Sequence, residues 1–149
     1  CWHDGKVYLR LSGARSAVEA TAQKWSGDVM ESGESFWRQI QDLQHDFFTG
    51  DAPLWRFSVG STAANPALKG PWLIDWAGSQ RWYRGEADMK QMETLAKQAG
   101  GQVSLFSGGD REGEVMHHQP DALKGIQRRL KNAFDPDGIF NPGRLYSWL

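Results

Sequence analysis

The chain has 149 residues, with 17 Lys+Arg against 18 Asp+Glu and a formal charge of −1, a balance that excludes the basic footprint of a nucleic-acid binder or an anionic-membrane binder. Its single cysteine excludes an internal disulfide and a multi-thiolate zinc site, and points to a reducing compartment. Eight tryptophans argue for a packed core over disorder, and no apolar run approaches the ~20 residues of a transmembrane segment. The length fits one domain over residues 1–149. The chain opens on Cys1 without a signal-peptide pattern, and a strand pattern begins by Lys6, so a fragment or processed product is expected.

Lys6 to Ser12 alternates, with Val7, Leu9 and Leu11 on one face, which predicts a half-buried strand. Val18, Ala22 and Trp25 at i, i+4, i+7 predict an amphipathic helix from Ala14 to Trp25, and Asp28-Val29-Met30 a short strand. Phe36, Ile40, Leu43 and Phe47 share a stripe, so a second helix is expected from Glu34 to Phe48. The period then falls to two at Leu54 to Val59, with Trp55, Phe57 and Val59 on one face. Residues 61–70 read as a loop, and Trp72 to Ala77 with Gln80 to Arg84 bracket Gly78-Ser79 as a β-hairpin.

Asp88 caps an expected helix through Gln98 that stops at Gly100-Gly101, and Gln102 to Phe106 is a further strand. Residues 107–120 read as a polar, mobile loop. Asp121 is placed as the cap of a last helix carrying Leu123, Ile126, Leu130 and Phe134, and a Pro- and Gly-punctuated tail runs from Asp135 to Leu149. This order suggests an α+β domain. Its specific form would be a ferredoxin-like antiparallel sheet covered by helices on one face, with an extra helix and a C-terminal helix and tail.

Chemical motifs are sparse. Adjacent His117 and His118 point opposite ways in extended chain and read as a solvated loop pair, and no metal site is expected. Asp135-Pro-Asp-Gly138 starts like a calcium loop but lacks its later acidic ligands. There is no nucleophile elbow, no phosphate-binding glycine fingerprint and no identifiable catalytic residue. Asp75, in an apolar strand, reads as a cross-strand partner for an arginine such as Arg81 more readily than as a general base. Trp55, Phe57, Trp72, Trp76, Trp82 and Tyr83 read as core, and the basic positions Lys124, Arg128, Arg129 and Lys131 as a solvated helix face.

The segment from Leu130 to Leu145, Leu-Lys-Asn-Ala-Phe-Asp-Pro-Asp-Gly-Ile-Phe-Asn-Pro-Gly-Arg-Leu, resembles the ending of FAD-linked oxidases of the vanillyl-alcohol oxidase type. Pro53-Leu-Trp-Arg-Phe-Ser-Val59 and Pro71-Trp-Leu-Ile-Asp-Trp-Ala-Gly78 are similar to the FAD-binding subunits of glycolate oxidases within that family. The resemblance implies a C-terminal cap domain lying over the flavin of an N-terminal FAD-binding domain that is absent here, so this chain alone is not expected to hold FAD or to turn over. It implies FAD contact at Asn141, Pro142, Gly143 and Arg144, a small 2-hydroxy acid as substrate, and a catalytic flavoprotein subunit and an iron–sulfur subunit as partners. A cytoplasmic location follows, peripheral to the inner membrane through the complex. The His-Gly-Asp-Gly-Asn-x-His motif of catalytic relatives is missing from Phe106 to His117, which fits a companion flavin subunit. Pro142 fixes φ and Gly143 permits a tight turn, so backbone there can approach a flat ring, and Asn141 offers an amide to it. Without the resemblance, Asn141 reads as a local cap, and the chain as a non-enzymatic ferredoxin-like module for a small ligand or a protein.

Overall fold

A computed structural model describes all of residues 1–149. The elements run β1 (Trp2–His3), β2 (Lys6–Val7), α1 (Arg15–Lys24), α2 (Gly33–Gln41), a 3-10 turn (Asp46–Phe48), β3 (Leu54–Ser58), β4 (Trp72–Asp75), a second such turn (Trp76–Gly78), β5 (Gln80–Arg84), α3 (Met89–Gln98), β6 (Gln102–Ser107) and α4 (Asp121–Phe134). The six strands form one antiparallel sheet in the order β2-β1-β4-β5-β3-β6. The α+β class is as expected from the alternation of periods. Where a ferredoxin-like unit would carry a helix between β3 and β4, residues 59–71 are irregular. No helix is long and apolar enough to cross a membrane.

Helices cover both faces of the sheet, which corrects the expectation of one covered face. Trp55, Phe57, Trp72, Tyr83, Val103 and Leu105 meet Met92, Ala96 and Ala99 of the α3 segment on one side. Leu54, Leu73 and Trp82 meet Phe36, Ile40 and Phe47 on the other. Alternation along β3 and β4 therefore divides two buried faces rather than core from solvent, and Leu73 is 0% exposed. Asp88 caps α3 by accepting from the Gln91 N–H at 2.9 Å. Gly101 starts the return to β6 so close to β3 that a Cβ would lie 2.0 Å from the Ser58 carbonyl oxygen.

Several expected boundaries move. The strand expected over Lys6–Ser12 is paired only at Lys6–Val7, and Val7 and Leu9 are exposed, because the other face turns inward: Tyr8 stacks on Phe36 of α2 at 4.4 Å between centroids. Asp28–Met30 is not a strand, and Val29 is solvent-exposed. The helix expected through Phe48 ends at Gln41, because Leu43 takes a left-handed φ of 56° and the Gln44 and His45 N–H groups turn back to the Gln39 carbonyl. Phe47 reaches the same core from the following turn. β4 stops at Asp75, since Trp76 and Ala77 have φ of 51° and 52°. Trp76 is thus 70% exposed and not in the core, unlike the five other aromatics expected there.

Asp75 lies opposite Gln80, not Arg81. Arg81 is 3% exposed and gives its guanidinium to the carbonyls of Gly60, Ala63, Ala64 and Gly78. Arg84 does the same for Phe47, Phe48, Gly50 and Ala52. Two arginines of β5 therefore tie irregular chain to the sheet on opposite faces. Pro120, not Asp121, occupies the cap position of α4, and it supplies no side-chain bond.

Candidate functional site

The C-terminal segment is organised around Asp135. Its buried carboxylate accepts from the N–H groups of Ile139 and Phe140, both at 2.9 Å, and from the Lys131 ammonium one helical turn earlier. Lys131 also donates to the Phe140 carbonyl. The bonded Lys131 ammonium, with those two amides, holds the Asp135 carboxyl below the usual carboxylate range against the cost of burial. Asp-Pro-Asp-Gly is thus a chain reversal wrapped on one carboxylate, turned at Gly138 with φ of 64°. A carboxylate followed by Pro-x-Gly was the signal for this role, and the comparison with a calcium loop passed over it.

Beyond the reversal, Asn141 takes a left-handed φ of 46° and its carbonyl accepts from the Arg144 N–H at 3.2 Å. Asn141, Pro142, Gly143 and Arg144 are contiguous and exposed. Asn141 and Arg144 line a shallow concavity of about 400 Å³ with Lys131, Phe140, Leu145 and Leu149, which Pro142 and Gly143 do not line.

The tail is then pinned again. The buried Tyr146 hydroxyl donates to the His117 carbonyl at 3.1 Å and accepts from Gln119 at 2.9 Å. The Glu114 carboxylate accepts from the Ser147 N–H and hydroxyl. Trp148 stacks on Tyr146 with 4.9 Å between centroids, and the Arg128 guanidinium lies over its ring. Residues 139–145 are therefore a strap held at both ends and bare in the middle.

The anchoring partners come from the segment expected to be a mobile loop. Met116 bridges to Ser104, and the Leu105 N–H donates to the Val115 carbonyl, so this stretch borders β6. His117 is buried, not solvated: its Nδ1 accepts from the Val103 N–H at 3.4 Å, and burial lowers its pKa against the raising effect of Glu93. His118 is exposed, as the expected opposite orientation requires. A cavity of about 680 Å³ lies in this region, with Trp55, Met89, Leu105 and Tyr146 in its lining, and none of the four expected cofactor residues lines it.

The apolar stripe of α4 joins neither buried core. Leu123, Ile126, Leu130 and Phe134 are all exposed, Phe134 by 81%, and Ile139, Phe140 and Leu145 of the strap are exposed as well. A helix patterned for burial is thus left in water together with the apolar residues of the strap. Residues 35–145 match the family described as FAD linked oxidases, C-terminal domain, and the chain belongs to that family. It is 37% identical over 149 residues to the glycolate oxidase subunit GlcE of Escherichia coli (strain K12). That match covers all of this chain and 41% of the relative. No solved structure matches. Family membership disfavours the reading as a non-enzymatic module.

The residues present fit part of a flavin. An exposed amide at Asn141 in a left-handed turn, in the same concavity as the apolar Phe140 and Leu145, suits the polar edge of a flat ring. Nothing in the strap offers the glycine-rich cradle that a dinucleotide diphosphate needs.

Proposed function

We propose that this chain is the cap of a FAD-binding subunit in a glycolate-oxidising complex, covering and orienting a flavin held by an upstream domain. What carries the reading is the strap: Asp135 and Tyr146 hold its two ends, and Asn141-Pro-Gly143 is displayed between them. The uncovered α4 stripe supports it, because an FAD-binding domain packed there would bury Leu123, Ile126, Leu130 and Phe134. When bound, the flavin supplies hydride acceptance from a 2-hydroxy acid. The chain's own residues would hydrogen-bond the ring through Asn141, place the Arg144 charge nearby and exclude water with Phe140 and Leu145. A catalytic flavoprotein subunit and an iron–sulfur subunit are the proposed partners, and a cytoplasmic, membrane-peripheral complex the proposed setting.

The test is the visible spectrum of the longer gene product that includes the upstream region. Asn141→Ala is expected to shift the flavin bands or reduce flavin content, while thermal unfolding of this domain stays unchanged. Unaltered flavin spectra and activity would refute contact at the strap.

A further inference from the structure

The three strands β3, β5 and β6 carry three arginines and no Asp or Glu, within a chain that is net negative. Arg81 and Arg84 are saturated, each donating to four backbone carbonyls. Arg56, in the middle of β3, is exposed and enters none of the chain's ion pairs. Acidic side chains are kept from it. Asp75, on the same sheet face, stands two strands away on β4, and Asp110 and Glu114, just beyond β6, line the cavity on the opposite face.

The apolar layer beneath Arg56 continues past its cover. Rings meet edge-to-face from Phe47 to Phe48 at 5.2 Å, from Phe48 to Trp82 at 5.3 Å and from Trp82 to Phe106 at 5.0 Å. The row starts in the core under α2, where Phe47 is buried, and ends at Phe106, which is 40% exposed beside the exposed Ser58 and Gln102. The Arg56 guanidinium lies 6.0 Å from the centroids of both Trp82 and Phe106. Seated on ring faces, it keeps its in-plane N–H donors free, and that fork matches a carboxylate at two points. The strap is on the other side of the sheet: Tyr146 and Trp148, at its end, line the cavity with Trp55, Met89 and Leu105.

We propose that the open end of the α2 face is the contact surface for another subunit of the complex, occupied by an acidic segment that gives one carboxylate to Arg56 and lays an apolar side chain on Phe106. Charge complementarity selects the carboxylate, because Arg56 is a cation without a counterion on strands that hold no acid. The exposed end of the aromatic row selects the apolar neighbour, and arginine with aromatic rings is the set that carries affinity at protein interfaces. This rests on the reading of the chain as part of a multi-subunit oxidase, and it is independent of contact between the strap and the flavin.

The experiment co-expresses the longer gene product with the proposed catalytic flavoprotein and iron–sulfur subunits, with the photo-crosslinking substitution Phe106→p-benzoylphenylalanine. Irradiation is expected to join it to one of those two subunits, within a segment that peptide mapping shows to carry Asp or Glu. In parallel, binding of the purified longer product to the two other subunits is titrated over a salt series. Arg56→Gln is expected to weaken binding on the order of ten-fold and to flatten its salt dependence, as loss of a charge-assisted pair requires. Flavin bands and unfolding midpoint of the longer product stay as in wild type. No binding in wild type, crosslinks confined to a second copy or to the protein's own upstream region, no crosslink, or equal affinity in Arg56→Gln overturns the assignment. The strap is read from flavin bands and this surface from subunit binding, so failure of either is told apart from failure of the other.

Discussion

Arg81 shows how one side chain holds a loop that has no secondary structure of its own. Its four carbonyl acceptors span residues 60–64 and Gly78, and in its absence those groups lose their partner in a nearly dry site. Arg81→Met is expected to cost about 3 kcal/mol, read as a lower urea midpoint at unchanged slope. Two histidines give the domain a pH dependence. Burial lowers His117 and, with the electrostatic effect of the neighbouring His3, lowers His45 from the usual value near 6.5. The native rings stay neutral at a pH where the unfolded chain takes up protons, so this stability is complete above about pH 6.5 and declines as pH falls toward the depressed native values. The melting temperature should be level from pH 7 to 8 and fall toward pH 5, and His117→Gln should remove part of the slope. Asp135, Tyr146 and His117 matter here only through where the chain brings them, and no local pattern marks Tyr146 as the partner of Gln119.

At the scale of elements, α3 and α4 carry similar apolar stripes with opposite fates. Met92 and Ala96 of α3 are completely buried, so Met92→Ala should cost about 2–5 kcal/mol in an unfolding titration. Leu130 of α4 is exposed, so Leu130→Glu should change the stability of this domain by less than about 0.5 kcal/mol. On the cap reading, the same substitution should prevent the upstream region from associating when the two pieces are co-expressed, and retained association would count against it. Periodicity located both helices within a residue or two, as it located β3, β5 and β6. It failed for Lys6–Ser12, where Tyr8 rather than the aliphatic face packs on α2, and at Leu43, where a backbone reversal broke a continuous stripe. Gly101 belongs to this scale as well: Gly101→Ala would push a methyl into the β3 backbone and should lower the unfolding midpoint by the equivalent of about 1–3 kcal/mol.

For the whole molecule, residues 130–145 carried the family by themselves, because a reversal folded on its own carboxylate and a strap of Asn, Pro and Gly are local structures whose residues are adjacent in sequence. The α+β class was equally legible, since periods of two and 3.6 are properties of single elements. Tertiary structure alone decided that both sheet faces are covered, because a strand buried on two sides and one buried on a single side differ in what packs above them. It alone placed His117, Gln119 and Glu114 against the tail, and left Arg56 bare on two rings while Arg81 and Arg84 were consumed by carbonyls. Those outcomes depend on contacts between residues separated by tens of positions. Such pairings are chosen by which groups must satisfy one another in the folded chain, a constraint that no window of sequence contains.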